Sequence, residues 1–292
     1  MDDKITEKSL KIAIALTSFY FIVEVLGGVY SGSLSLLSDA GHMFRDIFSL
    51  LITLGAIRIA KKLPSKSKTF GYHRIEILTA FVNGLLLVGV SIWIFWEAIK
   101  RFAAPLPVKS PIMFFVALIG LIVNLYVVLK LHGSDDLNIK AAYLHVFTDT
   151  LASTGVIFAS VWIFFTGQTI IDSVVSVIIA AFVLFSAFTV IRSSLNILLE
   201  FTPENIEFDN LVKDIEKIDG VEGIHNVHLW SLCSNVNVMD AHIFTNITDM
   251  KKIEALKSQI KNELKKLNIE HSTLEFECEE CVRKGKVSKI EH

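Results

Sequence analysis

Long apolar runs constrain this chain more than any other feature. Six segments between residues 12 and 199 approach or exceed about 20 residues, the length that an α-helix needs to cross a bilayer. They are Ile12–Tyr30, Leu34–Ala60, Ile77–Trp96, Ile112–Leu129, Ala141–Phe165 and Ile170–Leu199. The 292 residues are 52% hydrophobic and only 20% charged, so a monomer could not cover its surface in water. The sequence therefore predicts a membrane domain of six transmembrane α-helices, with the lipid bilayer as its surroundings.

The basic residues of the connecting loops predict the orientation of these helices. Lys and Arg gather at the amino terminus and between the second and third and the fourth and fifth segments, whereas the opposite side has only Lys100, Arg101 and Lys109. Because basic loops stay in the cytoplasm, both termini are expected there. The three cysteines all fall in the last 60 residues and form no even disulfide set, which also indicates a reducing compartment. We expect a multi-pass protein of the plasma membrane in a prokaryote, or of an organelle membrane otherwise.

A soluble domain follows Pro203, where the apolar runs stop. Its pattern predicts a helix, two strands, a second amphipathic helix and a last strand. These elements are placed at residues 204–218, Val221–Ser231, Val236–Ile247, 253–267 and Ser272–Phe276. This order is typical of a small α+β domain of about 80 residues, with helices on one face of a sheet.

The two predicted domains differ in charge. Residues 1–200 carry a net charge of +3 and residues 201–292 a net charge of −5. The boundaries are set at 8–200 for the membrane domain, 204–282 for the soluble domain and 283–292 for a flexible tail. Neither domain has the basic cluster that binds nucleic acid, so no nucleic-acid partner is expected.

The most informative motif occurs twice within the apolar segments. His42 precedes Asp46 by four residues in the second segment, and His145 precedes Asp149 by four in the fifth. Residues four apart share one face of a helix, so each helix presents an imidazole beside a carboxylate. Burying one aspartate at the centre of a bilayer costs about 2.5–3.5 kcal/mol, which calls for a compensating partner.

Two imidazoles and two carboxylates form a tetrahedral donor set for a borderline divalent ion, and Zn²⁺ fits best. Asp39 shares the His42 face, where it could support the ligands or line an access path. The alternatives are a private hydrogen bond within each pair, or a haem site, for which carboxylates are poor partners. The repetition of the motif favours the metal.

The same stretch carries a family resemblance. Gly32-Ser-Leu-Ser-Leu-Leu-Ser-Asp-Ala-Gly-His-Met-Phe-Arg-Asp46 resembles the second-span signature of the cation diffusion facilitator family, in its bacterial cobalt-zinc-cadmium efflux branch. Further family motifs are matched by Phe70-Gly-Tyr-His-Arg-Ile-Glu76, His145–Asp149 and Leu198-Leu-Glu-Phe-Thr-Pro203. The resemblance covers about residues 8–282.

The resemblance implies a homodimer of six-span subunits that exports Zn²⁺ in exchange for protons. It also implies a ferredoxin-like, metallochaperone-like cytoplasmic domain. At the matching positions, the resemblance implies that the transport ligands are His42, Asp46, His145 and Asp149. A histidine at the first ligand position resembles the family branch that prefers zinc and cadmium. The physiological ion stays open among zinc, cadmium, cobalt and iron.

A second set of candidate metal ligands lies in the soluble domain. By resemblance, several of its histidines and glutamates fall at or near regulatory ligand positions, and a Cys-x-x-Cys pair adds soft donors. The set comprises His228, His242, His271, Glu275, Glu277, Cys278 and Cys281. Exposed histidines and reduced cysteines are also common in cytosolic domains that bind no metal. If a metal binds here, its expected role is to sense cytosolic zinc and tighten the dimer.

Three further interpretations stay open. His73, in the basic loop before the third segment, could be a relay on the pathway or a peripheral metal ligand, or it could simply lie at the interface. An intramembrane metalloenzyme would need an open coordination position and a general base, as in His-Glu-x-x-His, which the sequence lacks. A metal-sensing membrane receptor would bind metal through its soluble domain without transporting it.

Overall fold

The structure of the chain is a computed structural model that describes the backbone of residues 2–60, 65–131, 137–234, 236–278 and 285–287. Side chains are described at residues 15, 17–44, 46–48, 51, 55, 65–125, 147–234, 236–278 and 285–287. The chain forms two compact units. The first comprises Met1–Lys61 with Ala80–Ile191, and the second comprises Lys62–Thr79 with Arg192–His292.

Six long helices follow one another in the order that the apolar runs predict. They are α1 (Asp2–Ser31), α2 (Leu34–Ala60), α3 (His73–Ala103), α4 (Ser110–Leu131), α5 (Leu137–Thr166) and α6 (Ile170–Leu198). Within the described residues, α3, α6 and the Phe147–Thr166 part of α5 are long and apolar enough to cross a membrane.

The helices of the first unit bury one apolar face and expose another. Helix α1 packs on α2 and α4, and α5 packs on α4 and α2. Leu36, Leu87 and Val156 are fully buried between the helices, whereas Phe165 and Phe185 are 80% and 76% exposed. Large apolar side chains exposed in this way would be unfavourable in water and are compatible with lipid.

Small residues allow the helices to approach closely, as is common in membrane proteins. A Cβ atom at Gly120 of α4 would lie only 1.8 Å from the Tyr20 hydroxyl oxygen of α1. Gly120 therefore leaves the space into which the Tyr20 ring inserts.

The amino-terminal end of α2 is held by a buried carboxylate of α6. Asp172 is 1% exposed, and it accepts hydrogen bonds from the backbone N–H groups of Leu34 (2.7 Å) and Ser35 (3.2 Å). The hydroxyls of Ser33 (2.7 Å) and Ser35 (2.6 Å) also donate to it. Anions are stabilised at a helix amino terminus, where backbone donors lack partners within the helix. Asp172 thus caps α2 and explains the serines of the signature.

Arginine 101 extends this cap to α3. Its Nη1 atom lies 3.8 Å from Asp172 and donates to the Gly32 carbonyl at 2.6 Å, and its Nε atom donates to Glu97 at 3.1 Å. One guanidinium thus lies near two carboxylates, and α2, α3 and α6 share one polar network.

The second unit contains an α+β fold with the predicted order of elements. It consists of α7 (Phe208–Glu216), β1 (Gly223–Cys233), β2 (Val236–Phe244), α8 (Met250–Lys266) and β3 (Ile269–Glu277). Strand β2 lies between β1, its antiparallel neighbour, and β3, its parallel neighbour. Helix α7 is shorter than predicted because a turn precedes it, in which the Ile206 N–H donates to the Pro203 carbonyl.

The core of this unit lies between the helices and the sheet. Ile215 of α7, Ile260 and Leu264 of α8 and Met239 and Ile243 of β2 are all at most 1% exposed. Strand β3 is longer than predicted, since it pairs with β2 from the Asn237–Ile269 register to the Phe244–Glu277 register. Backbone hydrogen bonds to β2 thus extend β3 beyond the segment that its side-chain pattern predicts.

The cap on α2 is testable by removing its acceptor. Asp172→Ala leaves two buried backbone donors without their anionic partner and removes one of the two carboxylates near Arg101, so we expect the unfolding free energy to fall by about 3–5 kcal/mol. Thermal or denaturant unfolding of the detergent-solubilised chain measures the loss. Glu97→Gln is the matched control, because Glu97 is partly exposed and its change is expected to cost less than about 1 kcal/mol. Equal stability of the Asp172→Ala and parent chains would contradict the assigned role.

Candidate metal centres

Three predicted metal ligands meet in the first unit. His42 and Asp46 lie one turn apart on α2, and Asp149 reaches the same point from α5. The His42 Nδ1 atom is 3.7 Å from Asp46 Oδ2 and 3.5 Å from Asp149 Oδ1. The side chains are 14–20% exposed, so the group is largely but not completely enclosed.

These distances match those of ligands that share one small dication. Zinc lies about 2.0–2.1 Å from nitrogen and oxygen ligands, which in a tetrahedron places the donor atoms roughly 3.3–3.4 Å apart. The donor atoms of His42, Asp46 and Asp149 all lie within 4.8 Å of one another. The two distances from His42 are within a few tenths of an ångström of that separation, so the group is compatible with one shared ion.

Two other predicted residues accompany this group. His145 lies on α5 one turn before Asp149, but its side chain lies outside the described residues. Asp39 lies on α2 one turn before His42 and is 6% exposed. The structure thus brings together three of the four predicted transport ligands, and the fourth stays a prediction.

A second group of metal-ligating side chains lies in the second unit. It consists of His225 on β1, His242 on β2 and Glu277 at the end of β3, whose donor atoms also lie within 4.8 Å of one another. His225 pairs directly with His242 across the antiparallel strands, and the ring centroids are 5.2 Å apart. The parallel register places Glu277 opposite Phe244, beyond the histidine pair.

The glutamate contacts both imidazoles. Glu277 Oε1 is 2.7 Å from His242 Nδ1, and Glu277 Oε2 is 3.2 Å from His225 Nε2. The second pair is close but lacks the alignment of a hydrogen bond, so both buried atoms are without a hydrogen-bond partner in the described part of the chain. Ligand atoms directed at a common ion have this arrangement. Two imidazoles and a carboxylate suit Zn²⁺ and leave a coordination position for another donor.

The other candidates of the second unit are distributed around this group. Glu275 is a neighbour, with Oε2 3.6 Å from His242 Nε2, whereas His228 pairs with Asp240 further along the strands. His271 packs edge-on against Phe70. Cys278 is exposed, and Cys281 lies outside the described residues.

His73 belongs to the second unit. Its Nδ1 atom is 3.6 Å from Cys233 Sγ, and the neighbouring Arg74 is ion-paired with Glu200. His73, Arg74 and Glu200 line a cavity of about 560 Å³, together with Trp230. The role of His73 stays a prediction.

His225 was missed in the sequence because of an irregularity in β1. In a regular strand, residues 225 and 228 would lie on opposite faces. The register shifts between His225 and His228, and Asn226 has a positive φ of 50°, so both histidines pair with positions of one β2 face. Asn tolerates this conformation, and the His-Asn dipeptide is the signal that could have indicated the bulge.

Comparison with known families matches both parts of the chain. Residues 10–199 match the family described as the cation efflux transmembrane domain. Residues 203–277 match the family described as the cation efflux protein, cytoplasmic domain. The two matches divide the chain as its apolar and soluble patterns do.

Several known proteins are similar over almost the whole chain. A Bacillus subtilis protein described as a cadmium, cobalt and zinc/H(+)-K(+) antiporter is 40% identical over 278 residues, covering 94% of this chain and 89% of the relative. The metal cation efflux system protein CzcD of Cupriavidus metallidurans is 42% identical, with 94% and 88% covered. The zinc transporter ZitB of Escherichia coli is 38% identical, with 94% and 88% covered.

The second group predicts which histidine matters for metal binding. In the full-length chain with Asp46→Ala and Asp149→Ala, which weaken the first group, we expect His225→Ala to lower Zn²⁺ affinity by about tenfold or more, since it removes one of three donors. His228→Ala is the matched control and is expected to leave the affinity unchanged. Isothermal titration under reducing conditions makes the measurement. Equal losses in both variants would contradict the ligand set.

Proposed function

The chain belongs to the cation efflux, or cation diffusion facilitator, family, and on that premise we propose that it exports Zn²⁺ in exchange for protons. It is a multi-pass membrane transporter, not an enzyme. The names of its relatives include zinc, cadmium and cobalt, so cadmium and cobalt are further candidate substrates. The transported ion is a substrate and not a resident cofactor.

One observation carries the proposal: Asp149 of α5 lies 3.5 Å from His42 of α2, beside Asp46. The two helices thus combine a nitrogen and two oxygen donors in an apolar unit, where an isolated carboxylate is unfavourable. His145 would complete a tetrahedral set of two imidazoles and two carboxylates. Such mixed donors suit zinc better than the all-oxygen sites of magnesium or calcium.

Proton exchange follows from the chemistry of these donors. Metal binding needs neutral imidazole and ionised carboxylate, so protons compete with the metal. The ordinary pKa of an imidazole is about 6.5, close to physiological pH. A site open to the cytoplasm would release protons and bind Zn²⁺, and a site open to a more acidic exterior would bind protons and release the metal. Alternating exposure of the α2–α5 site to the two sides would therefore allow the proton gradient to drive metal export.

We further propose a homodimer with both termini in the cytoplasm and a regulatory metal site at His225, His242 and Glu277. The basic loops support the cytoplasmic termini. The regulatory site is supported by His225 Nε2 and Glu277 Oε2, two buried ligand atoms that form no hydrogen bond with each other. Cytosolic zinc bound there would stabilise one arrangement of the soluble domains and bias the membrane domains. A receptor without flux is the rival, and it predicts metal binding without uptake.

Metal uptake into vesicles tests the main proposal. The full-length chain in proteoliposomes should transport Zn²⁺. A proton gradient directed opposite to the zinc movement should change the initial rate of transport. We expect Asp149→Asn, which removes an anionic donor from α5, to reduce the initial rate by at least about 100-fold. Asp214→Asn, an exposed aspartate of the second unit, is the matched control with an unchanged rate. Parent vesicles that bind Zn²⁺ without uptake would favour the receptor instead.

Ion preference tests the assignment of His42. Replacing His42 with Asp exchanges a nitrogen donor for an oxygen donor, and we expect transport to continue with preference shifted towards harder ions such as Mn²⁺. The measurement is the ratio of Zn²⁺ to Mn²⁺ initial rates in proteoliposomes. An active variant with an unchanged ratio would argue against His42 as a ligand.

A further inference from the structure

A polar cavity lies in the second unit, apart from both groups of metal-ligating side chains. Its volume is about 560 Å³, which is in the range of pockets that bind small molecules. One wall is the segment of residues 67–75, which leads into α3. The other walls are Glu200, after α6, and Trp230 and Leu232 of β1. The proposed transport of Zn²⁺ does not need this cavity.

Two hydrogen-bonded turns shape the wall that leads into α3. The backbone N–H groups of Ser65 and Lys68 each donate to the carbonyl of the other residue, at 3.2 and 3.0 Å. The Gly71 N–H donates to the Lys68 carbonyl at 2.9 Å, and Gly71 has a φ of 70°, which glycine adopts at no steric cost. The turns therefore bring Lys68, Tyr72 and Arg74 to the same cavity.

The side chains of this cavity carry an excess of positive charge. In the described part of the chain Lys68 has no carboxylate within ion-pair distance, and its Nζ atom lies 3.9 Å from the centre of the Tyr72 ring. This cation–π contact holds the ammonium group without neutralising it. Arg74 is ion-paired with Glu200 through Nη2, and the guanidinium has further N–H donors on its fork. Two cations thus accompany one carboxylate.

These groups suit a phosphate better than a metal ion. Ammonium and guanidinium groups have only donors and repel cations, but they form charge-assisted hydrogen bonds with phosphate oxygens. Ser67 and Thr69, whose hydroxyls can also donate, line the same cavity. The chemistry of the cavity therefore favours an anion with several oxygen acceptors, as in a phosphate group.

The rim of the cavity is apolar and belongs to the ends of two membrane helices. Phe70 and Ile75 line the cavity and are 48% and 44% exposed. Leu199 and Phe201, which follow α6, are 60% and 55% exposed. The apolar run of α3 begins at Ile77 and that of α6 ends at Leu199, so we expect this rim at the boundary between lipid headgroups and acyl chains. A soluble phosphate would leave these apolar side chains in water, whereas the acyl chains of a phospholipid would cover them.

We propose that this cavity binds the phosphate group of an anionic phospholipid from the cytoplasmic leaflet. The phosphate accepts hydrogen bonds from Lys68 and Arg74, and the acyl chains cover the apolar rim. The cavity also includes Trp230 of β1, and the start of α3 is joined to the end of β1 by a 2.8 Å hydrogen bond from the Ser234 hydroxyl to Glu76. A bound lipid therefore stabilises the contact between the start of α3 and β1. The inference goes beyond transport: it holds whichever ion the chain carries, and it takes only the orientation of the helices from the proposed function.

Lipid binding to the full-length chain tests the proposal. Dioleoylphosphatidylglycerol and its zwitterionic counterpart dioleoylphosphatidylcholine are titrated into the chain in a neutral detergent, and native mass spectrometry counts the bound lipids. We expect Lys68→Gln to weaken phosphatidylglycerol binding about fivefold, the contribution of one basic side chain to anionic-lipid affinity, and to leave phosphatidylcholine binding unchanged. Lys66→Gln is the matched control, because Lys66 is an exposed lysine of the same turn that is not among the residues lining the cavity. Its loss is expected to be less than about twofold.

The two lysine variants distinguish a defined site from general attraction between charges. Equal losses in both would mean that phosphatidylglycerol is attracted by basic residues at large, and the proposed site would be rejected. The melting temperature without added lipid shows whether Lys68→Gln folds as the parent does. Added phosphatidylglycerol should raise the melting temperature of the parent more than that of Lys68→Gln, because a ligand that binds the folded state stabilises it. The same rise in both chains would also contradict the site.

Competition with soluble phosphates identifies the source of the phosphate group. Inorganic phosphate and glycerophosphoglycerol carry the phosphate but have no acyl chains. We expect neither of them, at millimolar concentration, to displace phosphatidylglycerol from the parent chain. Displacement by either one would assign the cavity to a soluble phosphate compound and overturn the lipid assignment. None of these measurements requires zinc transport, so a failure of the proposed function and a failure of the lipid site are distinguishable.

Discussion

The need to compensate buried carboxylates organises the first unit. An acid in an apolar bundle is tolerated only with hydrogen-bond donors, a cation or a proton to compensate it. Asp172 receives backbone and hydroxyl donors at the start of α2. Asp46 and Asp149 lie against the His42 imidazole, where a dication would complete their compensation. Glu24 is fully buried in α1, where the Tyr20 hydroxyl donates a long hydrogen bond of 3.5 Å to it.

Two of these carboxylate groups involve α2, so the position of this helix matters for both. Its first turn is fixed to α6 by Asp172, and His42 and Asp46, further along the helix, lie beside Asp149 of α5. A displacement of α2 relative to α5 would change the separation of His42 and Asp149. The metal affinity of this group thus depends on the position of one helix.

The sequence predicted the features that depend on local periodicity. Helix positions, the order of elements in the soluble domain and the four-residue spacing of His42 and Asp46 follow from side-chain patterns along the chain. Contacts between distant residues were not accessible in this way. Asp172 caps a helix that begins 138 residues earlier, and patterns of neighbouring residues do not reveal such a pairing. His225 joined His242 only through a bulge at Asn226, which shifts the strand register.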